Sequence, residues 1–176
     1  LSGATLNTTN CVTGKCYSFN GVSNYINITN TTSIKSLNKT GSLEAWIYLN
    51  SQPASLTTIF DYAGTSGISG LVLLYNACGT NKLGIQVGNG SVAYEGCDTT
   101  ALSTNQWYHV VGTWDYGNGI NLYVNGQNKA SRGVNFALNP YLTSNVLLGS
   151  NGGTIRFWNG SIDNVRIYNK ALTANE

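Results

Sequence analysis

Charge is what this sequence has least of. Only 9% of its 176 residues are Asp, Glu, Lys or Arg, nine basic against seven acidic, with a single His and no Met. The basic residues stand singly, so no stripe exists to neutralise a run of phosphates, and nucleic acid is excluded as a partner class. Long apolar runs are also absent. The longest, Leu71-Val72-Leu73-Leu74-Tyr75, falls far short of the ~20 residues of a membrane span, and no direct membrane insertion is expected. With two prolines and no apolar pattern of period 3.6, a parallel α/β sheet with its crossover helices is excluded. The chain opens at Leu1 without an initiator Met or cleavable apolar leader and stops at Ala174-Asn175-Glu176 without a change of composition, which reads as a piece of a longer protein.

What is present is Asn, Thr, Ser and Gly, so solubility comes from neutral polar groups. The length suits one domain over residues 1–176, able to bury roughly 70% of its unfolded surface. Candidate strands are 16–20, 25–29, 42–50, 58–62, 70–76, 83–87, 92–95, 107–114, 120–124, 127–131, 146–150, 155–158 and 161–168, most of which alternate apolar with polar residues. Asn-Gly pairs at Asn20, Asn89, Asn118, Asn125, Asn151 and Asn159 supply the positive φ that tight hairpins demand. The expected fold class is all-β, an antiparallel two-sheet sandwich.

Cysteines and sequons point to one compartment. Cys11 and Cys16 bracket a short loop and Cys78 and Cys97 a hairpin, so these local pairings are preferred among the three available. Loop entropy assigns roughly 2 kcal/mol to the smaller ring and roughly 3 to the larger. Zinc fails on spacing, since the chain has no Cys-x2-Cys and one His. Asn7, Asn27, Asn30, Asn38, Asn89 and Asn159 each begin an Asn-x-Ser/Thr acceptor sequence for N-glycosylation. Together they favour an oxidising, extracellular setting, at a cell surface or after secretion.

The segment Gly160 to Leu172 carries the sharpest single question. Alternation places Asp163 on one face with Val165 and Ile167, the core face, with Asn164, Arg166 and Tyr168 opposite. A carboxylate among apolar neighbours needs backbone N–H donors, an Arg or a bound cation.

Three stretches, in order, resemble the laminin G domains of the concanavalin A-like superfamily, in the type found in bacterial and archaeal surface proteins. They are Phe19-Asn20-Gly21-Val22-Ser23-Asn24-Tyr25-Ile26-Asn27-Ile28, Trp107-Tyr108-His109-Val110-Val111-Gly112-Thr113-Trp114-Asp115, and Ser161 to Leu172. Ser42-Leu43-Glu44-Ala45-Trp46-Ile47 and Leu122-Tyr123-Val124-Asn125-Gly126 are similar as well. The resemblance implies a jelly roll with one concave and one convex sheet. Such domains open with an aromatic-x-Phe-Asp/Glu strand upstream of the segment that here reads Gly3-Ala4-Thr5-Leu6, and that strand is missing, through a late boundary or because a neighbour completes the edge by strand addition. The resemblance further implies a structural Ca2+ between the Phe19-Asn20-Gly21 turn and the last strand. Its ligands would be Asp163, Asn20, Asn24 and the Gly21 carbonyl, with Asn20 and Asn24 standing where the family often has Asp.

The same jelly roll carries β-glucanases, which present two carboxyl groups from a Glu-x-Asp-x-Glu strand; this chain has no such run and no Gly-x-Ser-x-Gly, so it reads as a non-enzyme. His109, in line with Trp107 and Val111, reads as a packed residue. On 43–49, Leu43, Ala45, Ile47 and Leu49 form one face and leave Glu44, Trp46 and Tyr48 on the other, which is either a sugar-stacking platform or a second buried face. Tyr62, Tyr94, Tyr116, Tyr141 and Trp158 fall near turns as candidates for a binding rim. The expected function is adhesion or glycan binding, with a surface polysaccharide or glycoprotein as partner. The alternative is a structural module that binds protein, including copies of itself.

Overall fold

The alternation of residues 40–49 decides the layering. Leu43, Ala45, Ile47 and Leu49 are buried, each at most 2% exposed, while Glu44, Trp46 and Tyr48 between them are half-buried. One face of this strand is therefore core and the other is a partly covered surface.

The computed structural model describes residues 1–29, 31–63, 68–138 and 145–176. These form β1 (Thr5–Asn7), β2 (Cys16–Asn20), β3 (Ile26–Ile28), α1 (Thr32–Lys35), β4 (Thr40–Leu49), β5 (Thr57–Asp61), β6 (Ser69–Tyr75), β7 (Lys82–Asn89), β8 (Ala93–Ala101), β9 (Trp107–Asp115), β10 (Gly119–Val124), β11 (Gln127–Arg132), β12 (Val146–Leu148) and β13 (Asn159–Tyr168). A seven-stranded sheet has the order β1-β2-β13-β4-β9-β10-β11, and a six-stranded sheet the order β3-β12-β5-β6-β7-β8. The strand pairs are antiparallel, and neighbours distant in sequence lie side by side, as in a jelly-roll sandwich.

The core lies between the sheets. Leu43, Ile47, Val110, Trp114 and Leu122 from the first sheet belong to one buried cluster with Leu71, Leu73, Leu83 and Ile85 from the second. A second, smaller cluster joins Ala63, just past β5, to Val72 and Leu74, the alternate residues of β6. Thus β6 is buried on both faces, and its unbroken apolar run follows from that.

Three segments differ from expectation. Residues 5–7 add an edge strand, and 93–101 form a longer strand than the expected 92–95. The expected strand at 155–158 is a turn, because Arg156 takes φ 57° and a bridge joins Asn151 to Ile155. The single helical turn of α1 is capped by Thr31, whose hydroxyl accepts the Ile34 N–H.

Candidate functional site

The face of the seven-stranded sheet turned away from the core gathers the unusual side chains. Antiparallel register sets Trp46 opposite His109, Tyr48 opposite Trp107 and Glu44 opposite Val111. The rings meet as this register dictates, with centroids 5.1 Å apart for Trp46 and His109 and 5.4 Å for Tyr48 and Trp107. Four aromatic rings thus form a two-by-two platform on β4 and β9.

Glu44 anchors one end of it. Its Oε1 accepts from His109 Nε2 at 3.0 Å and Arg166 NH1 at 3.1 Å, and its Oε2 from the Tyr168 hydroxyl. Burial pushes this carboxyl up, but the Tyr168 and His109 hydrogen bonds and the Arg166 charge outweigh it, leaving the group below its ordinary value. Glu44 is a structural anion. Its side chain is only 12% exposed, whereas Arg166 in front of it is 55% exposed.

Two segments cross this face and bound the platform. The chain entering the Cys11–Cys16 disulfide loop reaches as far as β9, where the carbonyl of Asn10, just before Cys11, accepts the Trp107 indole N–H at 3.1 Å. On the other side, Ser42 Oγ donates to the Lys170 carbonyl and accepts the Leu172 N–H, both at 2.8 Å. Leu172 and Thr173 then enclose, with Glu44, His109 and Tyr123, a small cavity of about 50 Å³. The platform lies in a trough between the loop and the tail.

Asp163 lies on this outer face too, which corrects the expectation that it shares the core face with Val165 and Ile167. It pairs with Trp46, while Arg166 pairs with Glu44, so three steps along β13 match two along β4. The extra residue is a bulge at Asn164, whose φ is 47°. One inserted residue reverses the face of everything before it. Val165 and Ile167 keep their packing against the core. Asp163 is 5% exposed beneath the crossing loop: its Oδ2 accepts Val12 N–H at 2.8 Å and Thr13 N–H at 3.1 Å, and its Oδ1 accepts Asn164 N–H at 2.7 Å. Backbone donors are its partners.

The four expected calcium ligands are not brought together. Asn20 pairs with Asn159, four positions from Asp163 on β13, which is about 13 Å along the strand. Asn20 Oδ1 is occupied by the N–H groups of Val22, Ser23 and Asn24, and Asn24 Oδ1 by that of Asn20. Gly21 donates its N–H to the carbonyl of Trp158, the residue before β13. With the side-chain oxygens of Asn20 and Asn24 taken by N–H donors and the Asp163 carboxylate remote, Asp163, Asn20, Gly21 and Asn24 do not fit one Ca2+ site.

Other expected residues divide clearly. Trp158 is 0% exposed and packs edge-on against Tyr75 at 5.9 Å, so it is core and not a binding surface. His109 is not packed away but stands on the platform with 27% of its side chain exposed. The supposed rim does not assemble: Tyr62 is buried, Tyr94 stacks on Phe136, Tyr116 is exposed, and Tyr141 lies outside the described residues. Among the sequons, Asn27 and Asn38 are exposed. Asn7 donates to Ser18, Asn89 caps Ser91 and Val92, Asn159 donates to Ser51, and Asn30 lies outside the described residues. The second disulfide joins Cys78 to Cys97. Sequence reasoning missed Trp107, Arg166 and Tyr168 as platform residues. The signal for Trp107 and His109 was alternation with Tyr108 and Val110, but only the register shows which side chains they meet.

No curated protein matches the chain at a significant level. Among solved structures, domain 4 of the arabinanase AbnA from Geobacillus stearothermophilus, in complex with arabinotriose, is similar with a TM-score of 0.75 at 22% identity, over 98% of this chain and 79% of that one. A putative carbohydrate binding protein from Bacteroides ovatus gives 0.71 at 22% identity, over 91% of this chain and 44% of that one. The binding domain of botulinum neurotoxin DC, in complex with SialylT, gives 0.73 at 16% identity, over 99% and 44%. At these identities the likeness is one of fold. A family model of the concanavalin A-like lectin/glucanases superfamily, the laminin G type, matches residues 20–176, and the chain belongs to that family.

Proposed function

We propose that this chain is a non-catalytic glycan-binding module of an extracellular or cell-surface protein, with its ligand lying in the trough on the outer face of the seven-stranded sheet. The observation that carries this is the quartet Trp46, Tyr48, Trp107 and His109, held half-buried by register between two crossing segments. Sugar rings stack on such faces through their C–H groups, and polar groups at the margin fix orientation. The carbohydrate ligands named for the arabinanase domain and the neurotoxin binding domain support this use of the fold. Two disulfides support the oxidising location.

The two carboxylates nearest the quartet support a binding role rather than hydrolysis. Glycoside hydrolysis needs one carboxyl group able to give a proton and another with an open lone pair. Glu44 and Asp163 both lie on this face, yet each is held by three donors. Neither is placed to act.

A glycan array followed by calorimetry on the best ligand tests the proposal, using Trp46→Ala and Trp107→Ala. Each substitution is expected to weaken binding at least tenfold, about 1.4 kcal/mol, with unchanged circular dichroism. Absence of any glycan ligand for the wild-type chain, or full affinity in both variants, would refute it.

A further inference from the structure

We propose that the trough selects sugars carrying a carboxylate, uronic or sialic acids, and that Arg166 receives that group. This rests on the reading of the outer face as a glycan site and concerns which glycans it takes. The argument is the balance of donors and acceptors left open. The anions on the face are occupied: Glu44 by His109, Arg166 and Tyr168, Asp163 by three backbone N–H groups, and Glu176, which borders the small cavity beside Glu44 and His109, by Lys170 and by the N–H and hydroxyl of Thr173. The Asn10 carbonyl takes the Trp107 N–H, and the Tyr48 hydroxyl is directed at Asn105.

Donors, by contrast, remain. A guanidinium carries five N–H bonds, and Arg166 directs NH1 to Glu44 while over half of its side chain faces solvent. The indole N–H of the half-buried Trp46 meets no acceptor among the described residues. The two side chains are neighbours, because Arg166 stands opposite Glu44 and Trp46 follows Glu44 on the same face of β4. Such diagonal positions lie about 7–8 Å apart, within the span of an arginine and an indole. A pyranose stacked on Trp46 therefore carries a ring substituent to the guanidinium.

This arrangement suits an anion better than a hydroxyl. A sugar hydroxyl both donates and accepts, and here its donor half finds few open acceptors; a carboxylate only accepts, and its two oxygens match the guanidinium fork. Glu44 sits behind Arg166 and holds the fork in place.

The test measures binding of polygalacturonate and sialyllactose to the intact chain, each beside its methyl-esterified form, which keeps the sugar and removes the charge. The acidic forms are expected to bind at least tenfold more tightly than the esters, with affinity falling as salt rises. Arg166→Gln is expected to abolish that preference while circular dichroism stays unchanged, and Arg166→Lys, which keeps charge but not the fork, to retain part of it. Equal binding of acid and ester, a preference for neutral glycans, or a preference that survives Arg166→Gln overturns the inference and leaves the outer-face site standing. Binding of no glycan of any charge overturns both.

Discussion

Replacing Asp163 by Asn tests whether a buried carboxylate in this fold is held by protein or by metal. The substitution keeps size and shape and removes the charge. One amide oxygen can still accept from Val12 and Thr13, as Oδ2 does now at 2.8 and 3.1 Å, but the amide NH2 then faces the Asn164 N–H that Oδ1 accepts at 2.7 Å. Two donors would meet at a position only 5% exposed. The loss is one charge-assisted hydrogen bond and the weakening of two more, about 2–3 kcal/mol. For a chain of this length that lowers Tm by about 5–10 °C. Asp163→Ala, which leaves three N–H groups unpaired, is expected to cost about 3–5 kcal/mol. Thermal and urea unfolding of the three proteins, each with and without EDTA, is the assay. If EDTA lowers the wild-type midpoint and leaves that of Asp163→Asn unchanged, the carboxylate ligates a cation and the backbone-donor account fails. A change below 1 °C for Asp163→Asn would refute it as well.

Two further outcomes follow from the geometry. A Cβ added at Gly160 would stand 1.9 Å from the Tyr48 carbonyl oxygen and 2.9 Å from Trp158 Nε1, so Gly160→Ala is expected to lose about 3 kcal/mol or more in denaturant unfolding, whereas Gly133→Ala, with nothing within 4 Å, is expected to be neutral. Burial pushes the Tyr75 phenol up to about 12 from its ordinary value of 10.0. Because the unfolded chain ionises first, this contribution to stability is complete below pH 10 and is lost as pH rises through about 12, so urea midpoints should fall over that window in the wild type and less steeply in Tyr75→Phe.

The layering was legible in the sequence because alternation needs no knowledge of neighbours. Leu43, Ala45, Ile47 and Leu49 had to share a face, and Glu44, Trp46 and Tyr48 the other; the structure gives both faces as the pattern did. Alternation failed where the backbone left its period. Ile155-Arg156-Phe157-Trp158 reads as a strand, but the left-handed Arg156 turns the chain and sends Trp158 into the core. At Asn164 a single bulged residue moved Asp163 across the sheet, and an Asn is the residue type that tolerates such a φ without marking where it will occur. The partners of Glu44 were invisible for a different reason. His109, Arg166 and Tyr168 come from two other strands, and register is a property of the assembled sheet.

The bulge also links stability to the platform. By turning Asp163 outward it gives the loop behind Cys11 a carboxylate to fold onto, and the same loop holds the Trp107 indole through Asn10. Were Asp163 on the core face, Val12 and Thr13 would have no acceptor on the sheet, and one wall of the trough would lose its anchor. A carboxylate buried beneath the loop therefore helps set the orientation of a platform ring. What these structural bonds leave open on the face is aromatic surface, one indole N–H and a guanidinium.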